Sequence, residues 1–385
     1  AAEGEAAETK TLSTRLDNRR ATGVTLARFE GSSTHANLSW ARETVADCMR
    51  HRGGKLGLHL QGLDPVAARA ALLALVAACD AAAFALPSFK SKPDPGRPSL
   101  SELIVFEQPG PADGAAETRA AAHGNNVARW FTALPPNELT VATYRAAIAT
   151  LAKEHGFGME FLSEPRLRDL GAGAFLAVAQ GNADRDAGIV CLRYRPRGRA
   201  PRGRLALVGK GILFDTGGTN LKPFKGMLDM HIDMQGSAVA LGTLVALAKL
   251  DAPYAIDAWL PLTENRLSAR AYKPQDVVRA ANGTSIQVIH TDAEGRMVLA
   301  DALALAAREK PTLIIDYATL TGSCISALTE RYSGAFSNRS EAHPLLQDAG
   351  ATSGERVWCF PMDADFDEAL RSETADIKQC AADGQ

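Results

Sequence analysis

The sequence predicts an α/β protein, layered sheet against helix, in two domains. Three observations predict it. From about residue 155 onward, apolar runs of strand length alternate with helical periods. The chain has 385 residues, more than one core usually spans. Pro109-Gly110-Pro111 breaks it firmly between a short first stretch and a long second one.

The elements follow in order. Ala1 to about Leu12 is rich in Ala and Glu and reads as a mobile start. Gly23–Phe29 and Lys55–Leu60 read as strands. Asp64-Pro65 is an N-cap and first-turn signature, opening a helix that runs to about Phe84. Pro87 to Ser101 reads as a loop, and Leu103–Phe106 as a short strand. This gives a first domain over 1–112 and a second over 113–385. The second begins with helices over Ala115–Leu134, stopped by Pro135-Pro136, and Ala142–His155. Ile189–Tyr194, Leu205–Val208, Ala255–Leu262, Ile286–His290 and Leu313–Tyr317 read as strands. Met227–Leu250 reads as one long helix after Gly226, and Leu299–Arg308 as another. No internal repeat occurs.

Composition excludes several classes. The 42 Lys and Arg against 44 Asp and Glu leave a net charge of −2, so no strong basic field draws nucleic acid or anionic membrane. With 46% hydrophobic residues, general disorder is excluded. Six scattered cysteines, none in a C-x-x-C pair, point to a reducing compartment. The richest apolar run, Val66 to Leu86, is broken by Arg69 and Asp80, so no membrane span is expected. The acidic start does not read as a signal peptide.

Two segments concentrate polar groups between apolar flanks. Val208 to Pro223 carries Lys210, Asp215 and Lys222 among glycines that admit close backbone approach. It follows a strand, where open α/β sheets bind ligands. His290-Thr-Asp292-Ala-Glu294-Gly-Arg296 is the second. If extended, it aims Asp292 and Glu294 the same way, and such a pair repels unless a cation intervenes. Asp233, on the expected long helix, is a further candidate. A carboxylate set without cysteine suits hard or borderline divalent ions, and could hold two of them. The alternative is a structural network of Asp–Lys–Arg pairs on loops. Asp215-Thr216-Gly217 matches the aspartic-protease triplet, but no second one occurs to share a proton. Gly203 to Lys210 is one residue too long for a phosphate loop and no Ser or Thr follows the Lys. Met227, Met230 and Met234 fall at helical spacing, which usually means core.

Thr291-Asp-Ala-Glu-Gly-Arg296 resembles the signature of the leucyl aminopeptidase family. Gly209 to Gly218, Leu221-Lys-Pro223, Met227 to Gly236 and Ala318-Thr-Leu-Thr-Gly322 resemble further family segments, in the same order. The likeness runs from about Asn125 to about Lys378. It implies a small N-terminal α/β domain and a larger catalytic domain with a mixed sheet flanked by helices. It implies two divalent ions, Mn²⁺ or Zn²⁺. Asp215 and Glu294 would bridge them, Lys210 and Asp233 would complete one site and Asp292 the other. A metal-bridging hydroxide would cut the N-terminal peptide bond of peptides with a free N-terminus, leucine-like or other apolar residues preferred. Lys222 would be the catalytic electrophile. Arg296 would hold a bicarbonate ion as general base. Met230, Thr319, Leu320 and Gly322 would line the substrate. The resemblance also implies a cytoplasmic homohexamer.

Three departures accompany it. His290 stands where the family usually has Asn. The first domain is short. The chain stops at Ala381–Gln385, where family members continue with a helix and a strand, so the catalytic domain is expected to be incomplete. The reading from another class is a DNA-binding protein on a peptidase fold. Its basis is the basic run Arg197, Arg199, Arg202 and Arg204, which as a solvated loop is the commoner case. The intact polar set disfavours it.

Overall fold

The computed structural model describes residues 11–50, 54–92, 100–106 and 114–382. Residues 1–10 of the expected mobile start, residues 93–99 of the expected Pro87–Ser101 loop, the Pro109-Gly110-Pro111 break, the 112/113 boundary and the last three residues lie outside them, whereas Thr11 and Leu12, expected in the mobile start, begin a strand. The chain divides into two compact units, one within 1–122 and 322–362, the other within 123–321 and 363–385. Residues 322–362, expected in the second domain, thus group with the first.

In the first unit, β1 (Thr11–Arg15) and β2 (Gly23–Ala27) form an antiparallel ribbon. Helix α1 (Thr34–Met49), strand β3 (Lys55–Leu58), helix α2 (Pro65–Ala83) and strand β4 (Glu102–Val105) follow, β3 and β4 parallel. Asp64 caps α2 as expected, accepting the Val66 and Ala67 N–H groups. By length and composition α2 would suffice to cross a membrane. Its Leu72, Ala74, Leu75 and Cys79 are buried in one core with Ala41, Val45 and Leu58. No sequence expectation covered α1. It buries only Ala41, Thr44 and Val45, too sparse a stripe to read as a period, although Ser33 caps it through Ala36 N–H.

Helix α3 (Ala115–Thr132) leads to α4 (Val141–His155), capped by Thr140 and Thr143. Next come β5 (Gly158–Ser163), α5 (Glu164–Asp169), α6 (Gly173–Ala179), β6 (Gly188–Tyr194), β7 (Arg204–Gly209) and β8 (Gly211–Asp215). Then follow α7 (Phe224–Met227), α8 (Gln235–Lys249), β9 (Ala255–Asn265), β10 (Val277–Arg279), β11 (Ser285–Gln287), α9 (Gly295–Arg308) and β12 (Leu313–Tyr317). Residues 322–362, in the first unit, carry α10 (Ser323–Leu328), β13 (Ser333–Ala335), α11 (His343–Ser353) and β14 (Val357–Cys359), β13 and β14 parallel. The short β15 (Ile377–Lys378) pairs parallel with β11, itself antiparallel to β10.

A six-stranded sheet organises the second unit, in the order β12-β7-β9-β6-β5, with β8 also on β9. It is mixed: β12, β7 and β8 run parallel to their partners, while β6 and β5 are antiparallel. Side chains alternate between its faces. Ile189, Cys191, Ala206 and Val208 join residues of α6 and α9 in one core. Val190, Leu192 and Leu207 join residues of α4 and α8 in the other. Helices on both faces explain why these strands read as nearly unbroken apolar runs.

Two expectations are corrected. The long helix over Met227–Leu250 is three pieces: α7, a 3₁₀ turn over Met230–Ile232, and α8. The break arises where the chain meets the sheet. Ser237 N–H donates to Lys210 O at 2.7 Å as well as to Met234 O, and a Cβ on Gly236 would stand 2.2 Å from Tyr317 O. Consequently only Met234 of the three methionines is core; Met227 and Met230 are partly exposed. The strand expected over Ile286–His290 ends at Gln287, and residues 291–294 form a turn into α9 rather than an extended run.

Asp301 on α9 tethers the first turn of α6 and the loop after β10. It is fully buried and accepts Phe175 N–H and Ala281 N–H, each at 2.7 Å. Burial lifts its carboxyl to about 6. Asp301→Ala would strand two buried donors at roughly 1–3 kcal/mol each. Urea denaturation should therefore show a loss of about 2–6 kcal/mol; an unchanged midpoint would refute this tether.

Candidate metal centre

Lys210 sits where β7 gives way to β8. Its peptide N–H donates to Tyr317 O at 2.9 Å, while its carbonyl accepts from Ser237. The side chain is thereby directed to the carboxyl ends of the parallel strands, where Asp215 ends β8, Asn265 ends β9 and Thr319 follows β12. The N-termini of α8 and α9 face the same place, bringing Asp233 and Glu294.

Asp215, Asp292 and Glu294 each offer an oxygen, and these atoms all lie within 4.8 Å of one another. The turn achieves what alternation was expected to do: Ala293 N–H closes on His290 O at 3.0 Å, and Asp292 and Glu294 converge across it. Lys222 Nζ stands between Asp215 Oδ2, at 3.0 Å, and Asp292 Oδ1, at 2.6 Å. Asp233 lies outside this trio and reaches it through Lys210. Lys210 Nζ is 2.7 Å from Asp233 Oδ2 and 2.9 Å from Glu294 Oε1, and donates to Thr319 O at 3.1 Å. Thr319 Oγ1 donates to Asp233 Oδ1 at 2.7 Å.

Four carboxylates face two ammonium groups here, and Lys210, Asp215, Asp233 and Glu294 are all at most 4% exposed. Buried charge without full compensation is costly. Burial pushes Glu294 up to about 8, against the pull of Lys210. It also raises Asp233 and Asp292, against Lys210 and Lys222. Burial works against charge on both lysines, but the neighbouring carboxylates overcome it and hold each above its ordinary value. Asp233 Oδ2 and Asp292 Oδ1 lie at ion-pair distance yet accept no hydrogen bond of good geometry. An oxygen-rich set short of positive charge, with buried oxygens to spare, fits divalent cations.

Two glycines make the close approach possible. Gly217 has φ +87°, and a Cβ there would fall 2.4 Å from Asn220 O and 2.9 Å from Asp292 Oδ1. A Cβ on Gly295 would fall 2.5 Å from Lys210 Cε.

The supporting groups escaped sequence reasoning. Asn265 Nδ2 donates to Asp215 Oδ1 at 2.8 Å and to Thr291 O at 3.0 Å. Tyr272 OH donates to the same Thr291 O at 2.7 Å. Thr291 Oγ1 donates to Gly217 O at 2.7 Å and accepts Asn220 N–H at 2.7 Å, so the two motif segments are bonded to each other. Only their polar type inside apolar flanks could have marked them.

Of the other expected site residues, Arg296 Nη1 donates to Gln379 O at 3.3 Å, and its buried Nε has no hydrogen bond among the described residues. Met230 lies in the 3₁₀ turn before Asp233, and Leu320 is 44% exposed beside Thr319. Gly322 precedes α10 in the other unit. In the basic run, Arg199 pairs with Asp251 and Arg204 with Asp257 and Glu309.

With this geometry in view, the comparisons are specific. The family model described as "Cytosol aminopeptidase family, catalytic domain" matches residues 126–385. A probable cytosol aminopeptidase of Parasynechococcus marenigrum is 39% identical over 363 residues, 90% of this chain and 72% of that protein. One of Polaromonas naphthalenivorans is 40% identical over 84% of this chain and 62% of its own length. One of Syntrophotalea carbinolica is 42% identical over 72% and 56%. The chain thus spans between 56% and 72% of the length of these curated relatives.

Proposed function

The chain belongs to the cytosol aminopeptidase family, and from that premise we propose that it is a metal-dependent aminopeptidase, cutting the N-terminal peptide bond of peptides with a free N-terminus. The observation that carries the reading is the convergence of Asp215, Asp292 and Glu294 on one point, with Lys222 beside them. Two divalent cations, Mn²⁺ or Zn²⁺, would be held by Asp215, Asp233, Asp292, Glu294 and the Lys210 amine. When bound, they supply Lewis acidity and a hydroxide nucleophile at neutral pH.

The chain's own groups do the rest. Lys222, aligned by Asp215 and Asp292, stabilises the negative charge that develops on the scissile carbonyl oxygen. Arg296, whose Nε has no hydrogen bond among the described residues, would hold a bicarbonate ion, and that ion would supply a general base beside the scissile bond. Met230, Thr319 and Leu320 contact the substrate, with leucine-like or other apolar N-terminal residues preferred. Along the chain, a boundary near residue 113 would set a small N-terminal α/β domain before the catalytic one, while residues 322–362 group with the first compact unit; the protein acts as a cytoplasmic homohexamer, which sedimentation velocity would check.

Dialysis against a strong chelator should abolish hydrolysis of a leucine anilide, and Mn²⁺ or Zn²⁺ should restore it. The N-acetylated anilide should stay intact, because an acetylated amine is a poor ligand. Undiminished turnover by metal-free protein would overturn the reading. Equal turnover of both substrates would point to another hydrolase class.

A further inference from the structure

The turn that carries Asp292 and Glu294 is gripped from outside by one side chain. Gln379 follows β15 and is 5% exposed. Its Oε1 accepts the N–H groups of Ile289 and His290, each at 3.1 Å. Its Nε2 donates to Ala293 O at 2.8 Å. The amide therefore spans both limbs of the turn. Its own backbone is fixed as well: its N–H donates to Gln287 O at 2.9 Å, and its carbonyl accepts Arg296 Nη1 at 3.3 Å.

Inside the turn, His290 Nδ1 accepts the Asp292 N–H at 3.3 Å. A side-chain acceptor serving the N–H two residues on is what Asn provides in an Asx turn. With that bond inside and Gln379 outside, the backbone from 289 to 293 has little freedom. An amide suits the task because it accepts and donates at one end; a carboxylate lacks the donor, and a thioether has no donor and only a weak acceptor.

Resting on the aminopeptidase reading, we propose that Gln379 is a positioning residue for the metal centre: through the 289–293 turn it holds Asp292 and Glu294 at the separation their shared cations require. Without it, Ile289 N–H, His290 N–H and Ala293 O lose their partner, and the turn relaxes to satisfy them. Groups behind metal ligands typically govern affinity by about 10–100-fold.

Mn²⁺ titration of chelator-stripped protein by calorimetry tests this. The variants are Gln379→Met, Gln379→Glu and Asp376→Ala. Asp376 tethers the same segment by accepting Ser285 N–H and Oγ–H, both at 2.7 Å, without touching the turn. Gln379→Met should weaken Mn²⁺ binding about 10–100-fold. Gln379→Glu, which keeps the acceptor, should weaken it less, and Asp376→Ala should stay near wild type. At saturating Mn²⁺, Gln379→Met should lower kcat and leave KM for the anilide within a few-fold. An affinity for Gln379→Met within about threefold of wild type, or an equal loss in Asp376→Ala, would overturn the proposal. Should Gln379→Met fail to fold, wild-type affinity in Gln379→Glu would overturn it equally. A wild-type protein that binds no Mn²⁺ would overturn the metal reading itself, and this proposal with it.

Discussion

Asp215→Ala is expected to lose its metal ions and at least about 10³-fold in kcat, since the cations contribute several kcal/mol to the transition state. Asp215 ends β8 with Oδ1 held by Gly217 N–H and Asn265 Nδ2, so its other oxygen is fixed in direction before any ligand arrives. The fold itself should survive. Removing one carboxylate from a buried, mutually repelling set leaves Lys222 paired with Asp292. Elemental analysis, steady-state kinetics and a melting curve together decide it. Retained metal with retained activity would remove Asp215 from the centre.

Lys222→Ala should behave in the opposite way, keeping metal while kcat falls about 10²–10³-fold, the usual cost of one oxyanion donor. Its ammonium stands 2.6 Å from Asp292 and 3.0 Å from Asp215, so its loss leaves those carboxylates in greater need of a cation. Charge on the carbonyl oxygen appears only in the transition state, so KM should move little. A kcat within a few-fold of wild type, or an emptied metal site, would remove Lys222 from its proposed role.

The chemistry-bearing segments were legible in the sequence because glycine and charge crowd together there between apolar strands. Lys210, Asp215, Lys222, Asp233, Asp292 and Glu294 could all be named before any coordinate, although spacing alone left a structural ion-pair network open. What failed was local conformation. The run from Met227 to Leu250 has helical periodicity throughout, yet Ser237 N–H is drawn to Lys210 O, a pull from the sheet that no local pattern encodes. The convergence of Asp292 and Glu294 was foreseen for the wrong reason, a turn taking the place of an extended run. Asn265, Tyr272 and Gln379 carry no signal of their own. Each matters through a partner 19 to 89 or more positions away, as the Tyr272–Thr291 and Gln379–His290 bonds show.

The pairing of β11 with β15 joins Ile286 to Ile377 and Gln287 to Lys378. On the ribosome, the strands of the main sheet have all been synthesised by Tyr317, whereas Gln379 emerges about 60 residues later, several seconds at ordinary elongation rates. The backbone that carries Asp292 and Glu294 therefore waits for its clamp after the scaffold beneath it is already present. A nascent chain released between those two points has its sheet but lacks the side chain that closes the turn. Order of translation thus separates the making of the scaffold from the completion of the centre.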